Sequence, residues 1–201
     1  MSRLLTPELL ATAGLGAYFR PRDVEPIGIS FLQLQALVAA GAVEQVDAGL
    51  YRLVDVDSSE FETVAMVSAA APTAIVCLLS ALQVHNIGTQ APHEVWLAID
   101  RKARVPRRLP ARARFVHWSG VMLTYGVTTT PILGVPVRIT SPARTIVDCF
   151  RYRNKIGLDV ALEALRDGVR TRRVHIPDLD RAAEVCRMRT VMAPYLEALT
   201  V

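Results

Sequence analysis

The chain has 201 residues, of which 51% are hydrophobic, and its formal net charge is +4. These values predict a globular protein that is large enough to bury a hydrophobic core, and they exclude a disordered or low-complexity chain. The three cysteines are an odd, widely spaced set, which fits reduced thiols in a cytoplasm better than a disulfide framework, and no C-x-x-C pair indicates a zinc site. The uncharged stretch 63–92 is interrupted by proline and polar residues, so no membrane span is predicted.

Residues 1–57 contain the signals of three short helices. A Thr-Pro pair begins the first helix at Thr6, and a second helix runs from Pro21 to about Glu25. Ser30 and Gln33 form an S-x-x-Q capping box, which predicts that a third helix begins there.

A predicted hairpin comes after the third helix, which ends at Gly41. Its strands, 43–46 and 50–53, flank Asp47-Ala48-Gly49, a three-residue loop with glycine at its end. Three helices and a hairpin in 57 residues predict a winged helix-turn-helix domain, and 55–59 is the predicted domain boundary.

Residues 58–201 form the second predicted domain, an α+β (mixed α/β) fold with helices around a small sheet that is antiparallel or mixed. Helices are predicted over 61–71, 73–84, 141–152, 158–167 and 177–192, with Gly168 ending the fourth and Pro194 bending or breaking the chain after the fifth. Strands are predicted over 94–99, 113–118, 122–130 and 135–139.

The charge is distributed unevenly between these two predicted domains. Residues 1–57 carry four basic and seven acidic side chains, a balance of −3, whereas residues 58–201 carry nineteen and twelve, a balance of +7. The domain whose outline suggests DNA binding is therefore acidic, and any attraction to phosphates has to come from elsewhere in the chain.

The strongest charge feature is the tract 101–114, which has seven basic residues and two prolines in fourteen positions. One interpretation is a phosphate-binding element, and the other is an exposed loop whose charges keep the protein in solution. The candidate DNA-binding residues here are Arg101, Lys102, Arg104, Arg107 and Arg108.

The predicted third helix offers few side chains suited to reading bases. Ser30 and Gln33 are candidate DNA contacts, and a glutamine can bond adenine with both ends of its amide, but the capping box is a competing role for Gln33. The neighbouring exposed positions include Leu32 and Ala36, which suit thymine methyl groups or another protein surface.

Three further patterns concern chemistry. Asp100-Arg101-Lys102 matches the D-x-K half of a restriction-type nuclease core, a remote alternative because the upstream aspartate is missing. Arg144 and Asp148 lie four residues apart on one predicted helix, a spacing typical of a structural ion pair. The four histidines show no ligand spacing, so no metal site or cofactor is predicted.

The chain resembles the AbiEi family of antitoxins from bacterial AbiE-type (type IV) toxin–antitoxin systems. The resemblance covers nearly the whole chain and rests on short motifs in a fixed order, namely GLYRL (49–53), CLLSALQVHNIG (77–88), EVWLAI (94–99) and VPVRITSPARTIVDC (135–149). It implies a cytoplasmic protein, encoded beside a nucleotidyltransferase-like toxin, that binds operator DNA and represses its own operon. The N-terminal domain would bind the operator through residues such as Arg52 at the wing end. The C-terminal domain would provide antitoxicity and assist repression.

The same resemblance leaves a second mechanism open. Some antitoxins of such toxins are thought to be atypical serine/threonine kinases that phosphorylate the toxin. Phosphoryl transfer would require ATP and Mg²⁺, an acid, and cations on the phosphates. Asp148, Arg144 and Lys155 are the candidates for these roles. The oligomeric state, the operator and the toxin's RNA substrate are left open by the sequence.

Overall fold

A computed structural model describes residues 14–57 and 59–199, and the chain has an α+β fold. The described residues divide into two compact units. The first comprises those up to Pro72, with Pro106–Ala111 and Thr129–Val137, and the second comprises the rest. The first unit thus extends beyond the predicted boundary at 55–59. The helix predicted at Thr6 lies outside the described residues.

The first unit contains a small antiparallel sheet with strand order β1-β3-β2 and three α-helices in its described part. Its elements are β1 (Tyr18–Phe19), α1 (Pro21–Val24), a 3-10 turn (Glu25–Ile27), α2 (Phe31–Ala39), β2 (Val43–Asp47), β3 (Leu50–Leu53) and α3 (Glu62–Ala70). A buried cluster that includes Phe19, Leu34 and Tyr51 packs these elements together.

The local signals in this unit give the predicted elements. The Ser30–Gln33 capping box forms at the start of α2, as predicted. Gly41 and Gly49 both take positive φ angles, 72° and 69°, the first after α2 and the second in the hairpin turn. Glycine adopts positive φ angles without the steric cost that a side chain would add. This explains why the helix ends and the strands turn at these two positions.

The second unit contains most of a five-stranded mixed sheet with strand order β6-β5-β4-β8-β7. Its strands are β4 (Ile75–Val76), β5 (Val95–Asp100), β6 (Ala113–Trp118), β7 (Val127–Ile132) and β8 (Val135–Thr140), and a 3-10 turn (Gly120–Leu123) precedes β7. Its helices are α4 (Leu78–Val84), α5 (Pro142–Arg151), α6 (Arg153–Ile156), α7 (Leu158–Arg170), α8 (Ile176–Val185) and α9 (Arg189–Glu197).

The strands β5 and β6 pair in parallel, with Val95 opposite Ala113 and Asp100 opposite Trp118. Parallel neighbours cannot be joined by a tight turn, because the chain has to return along the whole length of the strand. Residues 101–112 make this return without a helix or strand of their own. We call this segment the arginine loop.

Several predicted elements were wrong in their extent. The predicted helix 73–84 begins only at Leu78, because Val76 is in a strand that pairs with β5 and β8. The predicted helix 177–192 is two helices, separated near Arg187, which has a φ of 56°. Pro194 lies inside α9. The strand predicted over 122–130 begins at Val127.

Gly168 does not end α7, contrary to the prediction, but lies inside it. A Cβ atom at this position would lie 2.8 Å from Cδ1 of Ile146 and 3.2 Å from Cγ2 of Val174. The glycine therefore serves close packing of α7 against neighbouring side chains, which a sequence pattern cannot distinguish from a helix stop.

Candidate nucleic-acid interface

The arginine loop begins with a turn that Asp100 holds in place. The Asp100 carboxylate accepts the Lys102 backbone N–H at 2.7 Å, and the Asp100 carbonyl accepts that of Ala103 at 2.9 Å. The Arg101 backbone N–H donates to the carbonyl of Trp118 at 2.8 Å, which fixes the loop to the end of β6. The Asp-Arg-Lys pattern thus has a structural explanation, because the aspartate shapes the turn rather than standing free.

The cations predicted to bind DNA are exposed along this loop. Within the described part of the chain, none of their side chains forms a hydrogen bond or an ion pair. These side chains are those of Arg101, Lys102, Arg104, Arg107 and Arg108. Each is therefore available to a phosphate without breaking an existing contact.

The helix α2 places Ser30 and Gln33 at its exposed start, where they bond mainly to each other. The backbone N–H and hydroxyl of Ser30 donate to Oε1 of Gln33 at 2.8 and 2.9 Å, and the Gln33 N–H donates to Oγ of Ser30 at 3.4 Å. Reading adenine with both ends of the amide would require Gln33 to give up this cap.

The exposed face of α2 is apolar. Phe31 is 59% exposed and Leu32 is 81% exposed, and the exposed positions further along the helix are Ala36 and Ala39. No basic residue lies on α2, so this helix can supply shape and methyl contacts but little attraction to phosphates.

Arg52, which lies in β3, is half-buried and paired inside the first unit. Its guanidinium lies 3.2 Å from the Glu62 carboxylate, which also accepts a 2.5 Å hydrogen bond from the Tyr18 hydroxyl. Burial and this carboxylate raise the pKa of Tyr18 to about 12. Arg52 is thus engaged with an acid, and no pattern in the sequence indicates Glu62 as its partner.

Arg144 and Asp148, the kinase candidates, form a fully buried ion pair at the centre of the second unit. The Arg144 Nε–H lies 3.0 and 2.9 Å from the two Asp148 oxygens, and the other two nitrogens donate to the carbonyls of Met122 and Tyr125. The guanidinium also lies 4.7 Å from the centre of the Trp118 ring.

These contacts occupy every nitrogen of the Arg144 guanidinium and connect α5 to the segment before β7. Burial raises the pKa of Asp148 to about 6, although Arg144 and Arg151 act to lower it. Lys155 is exposed on α6, with its ammonium 5.7 Å from the ring of Tyr152. The Arg144–Asp148 geometry suits a structural clamp, since neither side chain has surface on which to bind ATP or Mg²⁺.

Among residues 14–57 and 59–199, no group of three or more histidine, cysteine or acidic side chains is arranged to hold a metal ion. Over the same ranges, no helix has both the length and the apolar character needed to cross a bilayer.

Comparison with known proteins assigns neither a family nor a function to the chain. No protein-family model matches the chain, and no curated protein matches it. Among solved structures, the chain is similar to the RV2827C protein of Mycobacterium tuberculosis, with 13% sequence identity and a TM-score of 0.49. The similarity covers 92% of this chain and 73% of that one. A similarity of this size assigns no function.

Proposed function

We propose that the chain is the antitoxin of a bacterial toxin–antitoxin pair, acting in the cytoplasm. It neutralises a nucleotidyltransferase-like toxin and represses its own operon by binding operator DNA. The observation that carries the DNA-binding half is the row of exposed, unpaired cations in the arginine loop. The antitoxin half is supported by the ordered motifs that resemble the AbiEi family.

We infer the separate contributions of the two units to DNA binding from the distribution of their charges. The first unit carries six basic and nine acidic residues, and the second carries seventeen and ten, so their balances are −3 and +7. Two of the first unit's six cations, Arg107 and Arg108, belong to the arginine loop. We propose that the loop supplies most of the phosphate affinity, while a winged helix-turn-helix in the first unit supplies shape through α2 and the hairpin.

The test is the salt dependence of operator binding. Changing the five loop cations to glutamine removes up to five phosphate contacts, each worth about 0.9 in the slope of log affinity against log salt. The slope should therefore fall by roughly 4 when it is measured by fluorescence anisotropy on operator DNA.

A matched control removes the same charge elsewhere. Arg166, Arg172, Arg173, Arg181 and Arg187 are exposed arginines outside the loop. Their glutamine variant should keep most of the slope, because the loop, not the net charge, makes the contacts. Equal losses in the two variants, or an unchanged slope in the loop variant, would contradict the proposal.

Neutralisation is tested with the full chain and the toxin encoded beside it. Co-expression should restore growth, and the two proteins should co-purify in equal amounts if the chain blocks the toxin by binding. A toxin about 80 Da heavier after incubation with ATP and Mg²⁺ would instead favour the kinase mechanism. Continued toxicity with soluble, folded chain present would contradict the antitoxin assignment.

A further inference from the structure

The two edges of the five-stranded sheet are not alike. The strand β7 contains Pro131, which has no amide hydrogen to offer an added strand. The strand β6 contains no proline, and its six residues pair with β5 in an unbroken register. Of these two edges, β6 is therefore the one suited to accept another strand.

The register identifies which backbone groups of β6 face away from the sheet. Val95 donates to the carbonyl of Arg112 and Arg101 donates to that of Trp118, so the even-numbered residues of β6 bond to β5. The N–H and C=O groups of Ala113, Phe115 and His117 consequently point outward. Within the described residues, these six groups have no hydrogen-bond partner.

Two arginines and one glutamate lie near the start of this edge. A cavity of about 450 Å³ lies beside the start of β6, and Arg112 and Arg114 line it together with His93, Glu94 and Trp96. Arg114 is half-exposed; it lies 3.4 Å from Glu94 and 4.8 Å from the centre of the Trp96 ring. The exposed side chain of Arg112 forms no ion pair within the part of the chain that the structure describes.

We propose that the β6 edge binds an extended peptide segment with acidic side chains, which adds to the sheet as a sixth strand. Main-chain hydrogen bonds to residues 113, 115 and 117 supply affinity, and the exposed guanidinium of Arg112, which has no ion pair among the described residues, selects an acidic side chain. A second copy of this chain is a poor occupant, because its own β6 edge carries the same cations. This surface uses none of the five cations assigned to DNA, so either proposal can fail alone.

The probe is a ten-residue peptide in which glutamate and valine alternate. In an added strand, one face then carries the acids beside Arg112 and Arg114, and the other carries valines beside Phe115. The matched control peptide alternates lysine and valine. Binding of fluorescently labelled peptides to the full chain is measured by anisotropy, and a ten-nucleotide oligothymidine tests whether the edge prefers nucleic acid.

The decisive variant is His117→Pro. It removes one outward N–H from an exposed residue and leaves the bonds between β5 and β6 in place. Affinity for the glutamate peptide should fall at least tenfold, whereas His117→Ala, which keeps the N–H, should bind as the unchanged protein does. Amide hydrogen exchange gives a second readout, since exchange at Phe115 and His117 should slow when the peptide binds.

Each possible result supports or overturns the proposal. It holds if the glutamate peptide binds, the lysine peptide does not, and the Phe115 and His117 amides become protected. It is overturned if neither peptide binds, if both bind equally, if the oligothymidine protects these amides instead, or if folded His117→Pro binds normally. Should His117→Pro not fold, the exchange measurement on the unchanged protein still distinguishes these outcomes.

Discussion

Asp148→Asn should change how the stability of the protein depends on pH. Asp148 is fully buried, and burial raises the pKa of its carboxyl group from 3.8 to about 6. The folded protein thus holds this proton more tightly than the unfolded chain does. The stability that this provides is present in full below the unfolded pKa and is lost as the pH rises through the folded pKa.

The size of the effect follows from the shift. A rise of about two pKa units corresponds to roughly 3 kcal/mol, of which about 2 kcal/mol is lost between pH 4 and pH 7. Asparagine does not titrate. The free energy of unfolding of the unchanged protein, minus that of the variant, should therefore fall by about 2 kcal/mol across this range.

Urea unfolding at several pH values between 4 and 7 measures this difference, and the groups common to both proteins cancel. Asp178→Asn, at an exposed position, is the control for losing one surface carboxyl group. A difference that rises with pH would mean that the attraction of Arg144 outweighs burial and lowers the pKa. Either that result or a flat difference would show that burial does not raise the pKa of Asp148 in the folded protein.

Three further substitutions test other contacts. Ser30→Ala removes the cap of α2 and should cost about 1 kcal/mol in urea unfolding, and no loss would show that the cap adds nothing to stability. Gly16→Ala places a Cβ atom 2.6 Å from the Val135 backbone nitrogen, so a cost of about 1–3 kcal/mol is expected, and an unchanged thermal midpoint would contradict this close approach. Arg144→Lys keeps the charge but loses the planar guanidinium that bonds Asp148 and two backbone carbonyls at once. The free energy of unfolding should fall by about 3 kcal/mol or more. A fall of less than about 1 kcal/mol would mean that the charge alone is sufficient.

Local signals accounted for much of the fold. The capping box at Ser30 and the glycines at 41 and 49 act through bonds and backbone angles within a few residues, so the sequence was sufficient to place α2 and the hairpin. The loop of exposed cations was predictable for a similar reason, because adjacent prolines and arginines rarely enter a core.

Features that depend on distant partners were not predictable. Ile75 and Val76 were predicted to lie in a helix over 73–84, but they form a strand, because β5 and β8 lie on either side of them. The partner of Arg52 is Glu62, at the start of α3 and ten residues further along the chain, and no local pattern connects the two positions. Arg144 and Asp148 are four residues apart on one helix, and this spacing predicted their contact. Nothing in the spacing predicted their complete burial beside Trp118.

The arginine loop also has a geometric limit, because its ends are fixed by backbone bonds at Arg101 and Arg112. Returning along a six-residue strand requires about 20 Å, and twelve residues reach at most about 40 Å when fully stretched. The fully extended loop is therefore about twice as long as the distance it has to span, so about half of its residues are not needed to span it. Deleting about six residues would draw it taut and pull β5 and β6 out of register, whereas insertions would meet no such barrier. Over evolution, this segment is free to lengthen and gain charges but not to disappear.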